Sequence, residues 1–172
     1  MRAISGDMAV PPSPCPAAAT DVAQLVLESH LRWAGVPLCP QPWDQVAEAV
    51  EWLYADAPFG LLVHDTGDDP RFIYANRAAQ MCFGYDWTEF TSLPSRLSAP
   101  PGRRTEREEF LARVRSQGYA DGYRGLRRAK NGEEFWIEDV AMWELVDSAG
   151  VRHGQAAIFR SVAERRPLAD RQ

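Results

Sequence analysis

Lysine is almost missing from this chain of 172 residues: Lys130 is the single lysine among 19 cations, the rest being arginines spread along the whole length. The formal net charge is -5, so the basic excess that marks a general nucleic-acid binder is also absent. Cysteine is scarce. Cys15, Cys39 and Cys82 cannot all pair, and their spacing fits no zinc motif, which argues against a disulfide scaffold and a structural metal site. No run of about 18 apolar residues exists to span a bilayer, and the start lacks the unbroken apolar stretch of a signal peptide. The expectation is a cytoplasmic protein. Gly-rich phosphate loops, the Gly-x-Ser-x-Gly elbow and His-Glu-x-x-His are missing too, which lowers the expectation of an enzyme without removing it.

What is present suits one globular domain. Hydrophobic residues make up 45% and charged residues 25%, and six Trp, seven Phe and five Tyr supply a core. Residues 1–19, rich in Pro, Ala and Ser, read as a disordered leader. Residues 20–57 read as two helices. Thr20 or Asp21 caps the first, whose apolar face is Val22, Leu25, Val26 and Trp33, and Gly35 stops it. The second places Val46, Val50, Leu53 and Tyr54 on one side.

The period changes at Phe59. Leu61-Leu62-Val63-His64 and Phe72-Ile73-Tyr74 predict a hairpin around the turn-forming stretch from Asp65 to Pro70. Asn76 follows a strand and opens a helix, which makes it a structural cap, with about 1 kcal/mol expected from its loss. Gly84 ends that helix. Another runs from Thr105 to Gln117, with Phe110, Leu111 and Val114 inward. Three long strands follow, Tyr119 to Ala129, Glu133 to Val146 and Val151 to Val162, the first two joined at Lys130-Asn131-Gly132. Residues 164–172 read as a polar tail. The expected architecture is α+β: a five-stranded antiparallel sheet with helices on one face and an N-terminal helical extension.

This order resembles a PAS domain over residues 58–163. The resemblance is carried by Ile73-Tyr74-Ala75-Asn76-Arg77-Ala78-Ala79, Phe83-Gly84-Tyr85, Glu89-Phe90, Lys130-Asn131-Gly132 before an aromatic strand, and Asp147 with Gly150 before the last one. Within that class the chain is similar to the MEKHLA family through Trp52-Leu53-Tyr54, Ala57-Pro58-Phe59, His64-Asp65, Pro70 to Asn76 and Leu93 to Ser98. The match extends roughly from residue 22 to residue 160. In plants this family's domain ends homeodomain leucine-zipper regulators, and neither element precedes it here. The family therefore implies a fold more firmly than a function.

A PAS-like fold holds a cavity between sheet and helices. Matched to the flavin-binding LOV branch through Asp65, Lys130-Asn131-Gly132 and Phe135-Trp136, the resemblance turns Leu62, His64, Tyr123, Arg127, Ile137, Asp139 and Ala141 toward that cavity. His64, Arg127 and Asp139 then face one space. Three readings follow: a satisfied buried network, a polar-ligand site, or an acid–base site with Asp139 or His64 as proton carrier. The resemblance sets Ser95 at the position of the LOV flavin-adduct cysteine, and Arg127 and Ile137 at those of the flavin-binding amides. It thus argues against LOV photochemistry. The helix Thr105 to Gly118 carries no histidine for haem. The cofactor stays unknown.

The leading expectation is a sensory or regulatory module that binds a small molecule or a partner protein, lacks its own output domain, and touches neither nucleic acid nor membrane. The alternatives are a small-molecule enzyme using the polar pocket and a pure interaction module. Trp136, Val140 and Met142, read as an outward apolar face, call for cover by the N-terminal helix of the same chain or of a second copy, and suggest a homodimer with Trp33, Trp136 and Met142 at or near the contact.

Overall fold

The computed structural model describes residues 15–40 and 45–167. The predicted leader up to residue 14, and residues 168–172 of the predicted tail, lie outside the described residues. Five strands, β1 (Gly60–His64), β2 (Phe72–Ala75), β3 (Tyr119–Arg128), β4 (Glu134–Val146) and β5 (Arg152–Arg166), form one antiparallel sheet in the order β2-β1-β5-β4-β3. The expected α+β architecture is what the chain adopts. β5 runs beyond the expected end at Val162, pairing Arg166 with Glu134, so the start of the polar tail is strand.

Strand alternation divides the core in two. Leu61, Val63, Trp143, Leu145, Ala156 and Ile158 face α1 (Ala17–Ala34) and α2 (Val46–Ala55). Leu62, Phe135, Ile137, Val140, Met142 and Phe159 face the other way, toward α3 (Arg77–Phe83), α4 (Trp87–Phe90) and α5 (Arg104–Gln117). The N-terminal extension therefore roofs the chain's own outer sheet face.

α1 starts at Ala17 behind Pro16, a turn before the expected caps Thr20 and Asp21. Alanine is the best helix former, so Ala17 to Ala19 join the helix instead of the leader. Its buried stripe is Ala19, Ala23, Val26, Ser29 and His30, rotated from the expected one; Val22 and Leu25 are half-buried. The small Ala19 and Ala23 let the helix approach the sheet closely. Two polar bonds fix its far end: the Ser29 hydroxyl donates to the Val146 carbonyl, and Trp33 Nε1 donates to the Glu144 carbonyl, each at 3.0 Å. In α2, Val50, Leu53 and Tyr54 are buried as expected, but Val46 in the first turn is exposed.

Asn76 caps α3 and does more. Its Oδ1 accepts from Ala79 N and Leu61 N, and its Nδ2 donates to the carbonyls of Leu53 and Phe59. One fully buried amide thus ties α2, β1 and α3 together.

β4 departs from uniform alternation. Asp139 has φ 51, in the left-handed region, and the β3–β4 register shifts beside it, between Tyr123 and Gly125. The phase slips by one residue. Phe135 and Ile137 face α5 before the slip, Val140 and Met142 after it, and Ala141 turns to the α1 side. This corrects three expectations. Val140 and Met142 are buried and are not an outward face, Met142 cannot sit at a dimer contact, and neither Asp139 nor Ala141 looks into the cavity.

Candidate functional site

The cavity lies where α5 and the 3-10 helix Ser95–Ser98 cross the sheet. Its volume is about 40 Å³, and Leu62, His64, Tyr123, Arg127 and Ile137 line it as expected. Asp139 does not. Its side chain is 67% exposed and meets Arg160 at 3.6 Å. No network joins it to His64 or Arg127, because the slip in β4 carries it to the opposite face.

His64 and Arg127 occupy opposite ends. Arg127 pairs with Phe135 near the start of β4, whereas His64 pairs with Gln155, which pairs with Glu144 near the end of β4.

At the His64 end, Nδ1 lies 2.8 Å from the Asp65 carbonyl. A carbonyl only accepts, so Nδ1 carries the proton and Nε2 of the neutral ring is a bare acceptor. Nε2 is buried and has no hydrogen-bond partner. The Gln155 side chain lies beside the ring, but its amide nitrogen donates elsewhere, to Glu144 Oε1 at 2.6 Å and to the Leu111 carbonyl at 3.4 Å. Glu144, also buried, accepts in addition from Arg152 Nε. Burial pushes the His64 pKa below 6.5, with Arg107 and Arg152 pushing the same way and the Asp65 carbonyl and the neighbouring Gln155 side chain opposing.

At the other end, Arg127 is buried (7% exposed) among neutral groups. Its Nη1 donates to the Leu126 carbonyl at 2.8 Å, and the Tyr123 hydroxyl lies beside the guanidinium. Burial lowers its pKa, and Tyr123 opposes that shift. Tyr123 is held by Phe110 of α5, whose ring stacks on it at 4.3 Å and 11°. The arginines on the other face of β3 have carboxylates: Arg124 pairs with Glu138 and Arg128 with Glu134. Among the described residues Arg127 has none.

Sequence reasoning missed Ser98, Arg107, Phe110, Met142 and Gln155 in the lining, and Glu144 behind it. Glu144 did leave a signal. It is the only charge in the run Val140 to Val146, where a carboxylate must be bonded or exposed.

This geometry can be set beside known proteins. The MEKHLA domain model matches residues 20–163. The chain belongs to the MEKHLA family. Among solved structures, the PAS domain of a protein from Colwellia psychrerythraea superposes with a TM-score of 0.56 at 18% identity, covering 74% of this chain and all of that one. The LOV domain of Aureochrome1 gives 0.53 at 18% identity, over 74% of this chain and 89% of that one. The LOV domain of a blue-light activated histidine kinase from Erythrobacter litoralis gives 0.51 at 25% identity, over 59% of this chain and 94% of that one. No curated protein sequence matches. The MEKHLA chain thus has the PAS/LOV fold. Among the described residues no helix is long and apolar enough to cross a membrane, and no group of His, Cys, Asp and Glu could hold a metal.

Proposed function

We propose that this MEKHLA protein is a regulatory module that takes a small molecule between its sheet and α5 and signals to a partner protein through α1 and α2. The carrying observation is the polar lining of an otherwise apolar cavity: a donor end at Arg127 and an unmet acceptor at His64 Nε2. Buried polar groups without partners are costly, and a fold keeps them where a ligand or ordered water meets them. Trp33 couples this face to α1, since its indole bonds the backbone of Glu144, whose carboxylate bonds Gln155 in the cavity wall.

The residues do not fit a flavin. The cavity of about 40 Å³ holds a few water molecules as it stands, so a small ligand enters only as α5 moves outward, and a flavin ring system is far larger still. The buried Ser95 has its hydroxyl bonded to Arg107 at 3.0 Å. The enzymatic alternative loses its carboxylate with Asp139. The interaction-module reading is favoured by the cavity's small volume. Homodimerisation, if part of the output, would use the exposed Leu31, Trp33 and Val36 at the end of α1 and the loop after it.

Mass spectrometry of protein purified without denaturation tests the reading. A small molecule released stoichiometrically on unfolding supports it. Release of nothing, together with cavity-residue amide signals that stay unchanged when cell-extract metabolites are added, supports the interaction module instead.

A further inference from the structure

We infer that the ligand is a carboxylate, held by its anionic group against Arg127 with an apolar body behind it; this rests on the ligand-binding reading above. Three observations lead there. First, Arg127 is a cation whose contacts are neutral, while Arg124 and Arg128 on the opposite face of the same strand each have a carboxylate. A guanidinium stripped of water and given no counter-charge is a standing cost, which an incoming anion removes. Second, Arg127 lines the cavity and does not merely pass beneath it. Its planar fork suits a carboxylate's two oxygens.

Third, the walls next to it are Phe110, Ile137 and Val140, so the rest of the ligand meets apolar surface. The Tyr123 hydroxyl beside the guanidinium is a second donor for the same group. Two guanidiniums line the cavity: Arg107 donates to the Ser95 hydroxyl and acts on His64, and Arg127 is the one set beside Tyr123. Gly125 keeps this corner open: a Cβ there would come within 2.8 Å of both Arg127 Nη1 and the Tyr123 hydroxyl.

The test uses the full chain at constant ionic strength. Acetate, butyrate and benzoate are titrated against their matched neutral amides, acetamide, butyramide and benzamide, with ¹⁵N chemical shifts and melting temperature as readouts. At least one acid should bind about tenfold or more tighter than its amide, the ratio expected for a charge-assisted hydrogen bond. Arg127→Met should abolish that preference, and Arg127→Lys should retain part of it. Should Arg127→Met not fold, Gly125→Ala, which crowds the guanidinium, should weaken the same acid selectively. Amides that bind as well as acids, or acid binding that survives Arg127→Met, overturn the carboxylate while leaving a ligand-binding module standing. Silence from both series also overturns it, and the released-ligand experiment then decides the broader reading separately.

Discussion

Asp139 lies across the β4–β5 ladder from Arg160, and their side chains meet at 3.6 Å on the face of the sheet away from the cavity. The pair is exposed and contributes little. The left-handed backbone at Asp139 costs more than the pair returns. Asp139→Gly should therefore raise stability by up to about 1 kcal/mol, measured by chemical denaturation. Ligand affinity should not change. An affinity loss without a stability change would return Asp139 to the binding site.

Asn76→Ala should cost about 3 kcal/mol or more. A cap alone is worth about 1 kcal/mol. Here the buried Leu61 N–H and the carbonyls of Leu53 and Phe59 lose their partner as well. Urea unfolding checks this, and a loss near 1 kcal/mol would mean that water replaces the amide.

Gly60→Ala should be worse than its size suggests. A Cβ at Gly60 would stand 2.1 Å from the buried Phe159 ring. Displacing that ring overpacks the core at a cost of about 3 kcal/mol. Phe159 also lines the cavity, so the variant should lose ligand affinity as well as melting temperature. Unchanged melting would show that the ring moves freely.

Acid should weaken the fold before the carboxylates titrate. His64 and the equally buried His30 both have pKa values held below 6.5 by burial. Below that value the unfolded chain binds protons that the folded chain refuses, so stability falls as pH drops. The half-buried Glu89 and Glu133, each beside a cation, are held below 4.5, and Asp147 below 3.8, outside that window. Melting temperature should therefore decline from about pH 7 to about pH 5.5, and His64→Gln should flatten the decline. An equal slope in that variant would remove His64 as the cause.

Much of the fold was legible because local chemistry fixed its joints. Asn76, Gly84, Gly118 and Lys130-Asn131-Gly132 mark ends and turns whatever the tertiary context, and the strands run between them. The cavity was legible only in part. β4 is buried on both faces around its middle, so its apolar residues do not report their direction, and a uniform alternation set Asp139 inside. The adjacent carboxylates Glu138 and Asp139 were the available hint, since one phase puts a charge in the core unless the strand bulges. Gln155 and Arg107 come from elements far apart in sequence, and only the β1–β5 pairing and the crossing of α5 bring them to His64.

The most direct measurement is a crystal structure of natively purified protein, read inside the sheet–α5 cavity. Continuous density larger than water is expected against the Arg127 guanidinium and Tyr123 hydroxyl, with α5 moved outward to admit it. A closed cavity holding one or two waters, with Arg127 still facing only neutral groups in protein that is active in signalling, would contradict that expectation.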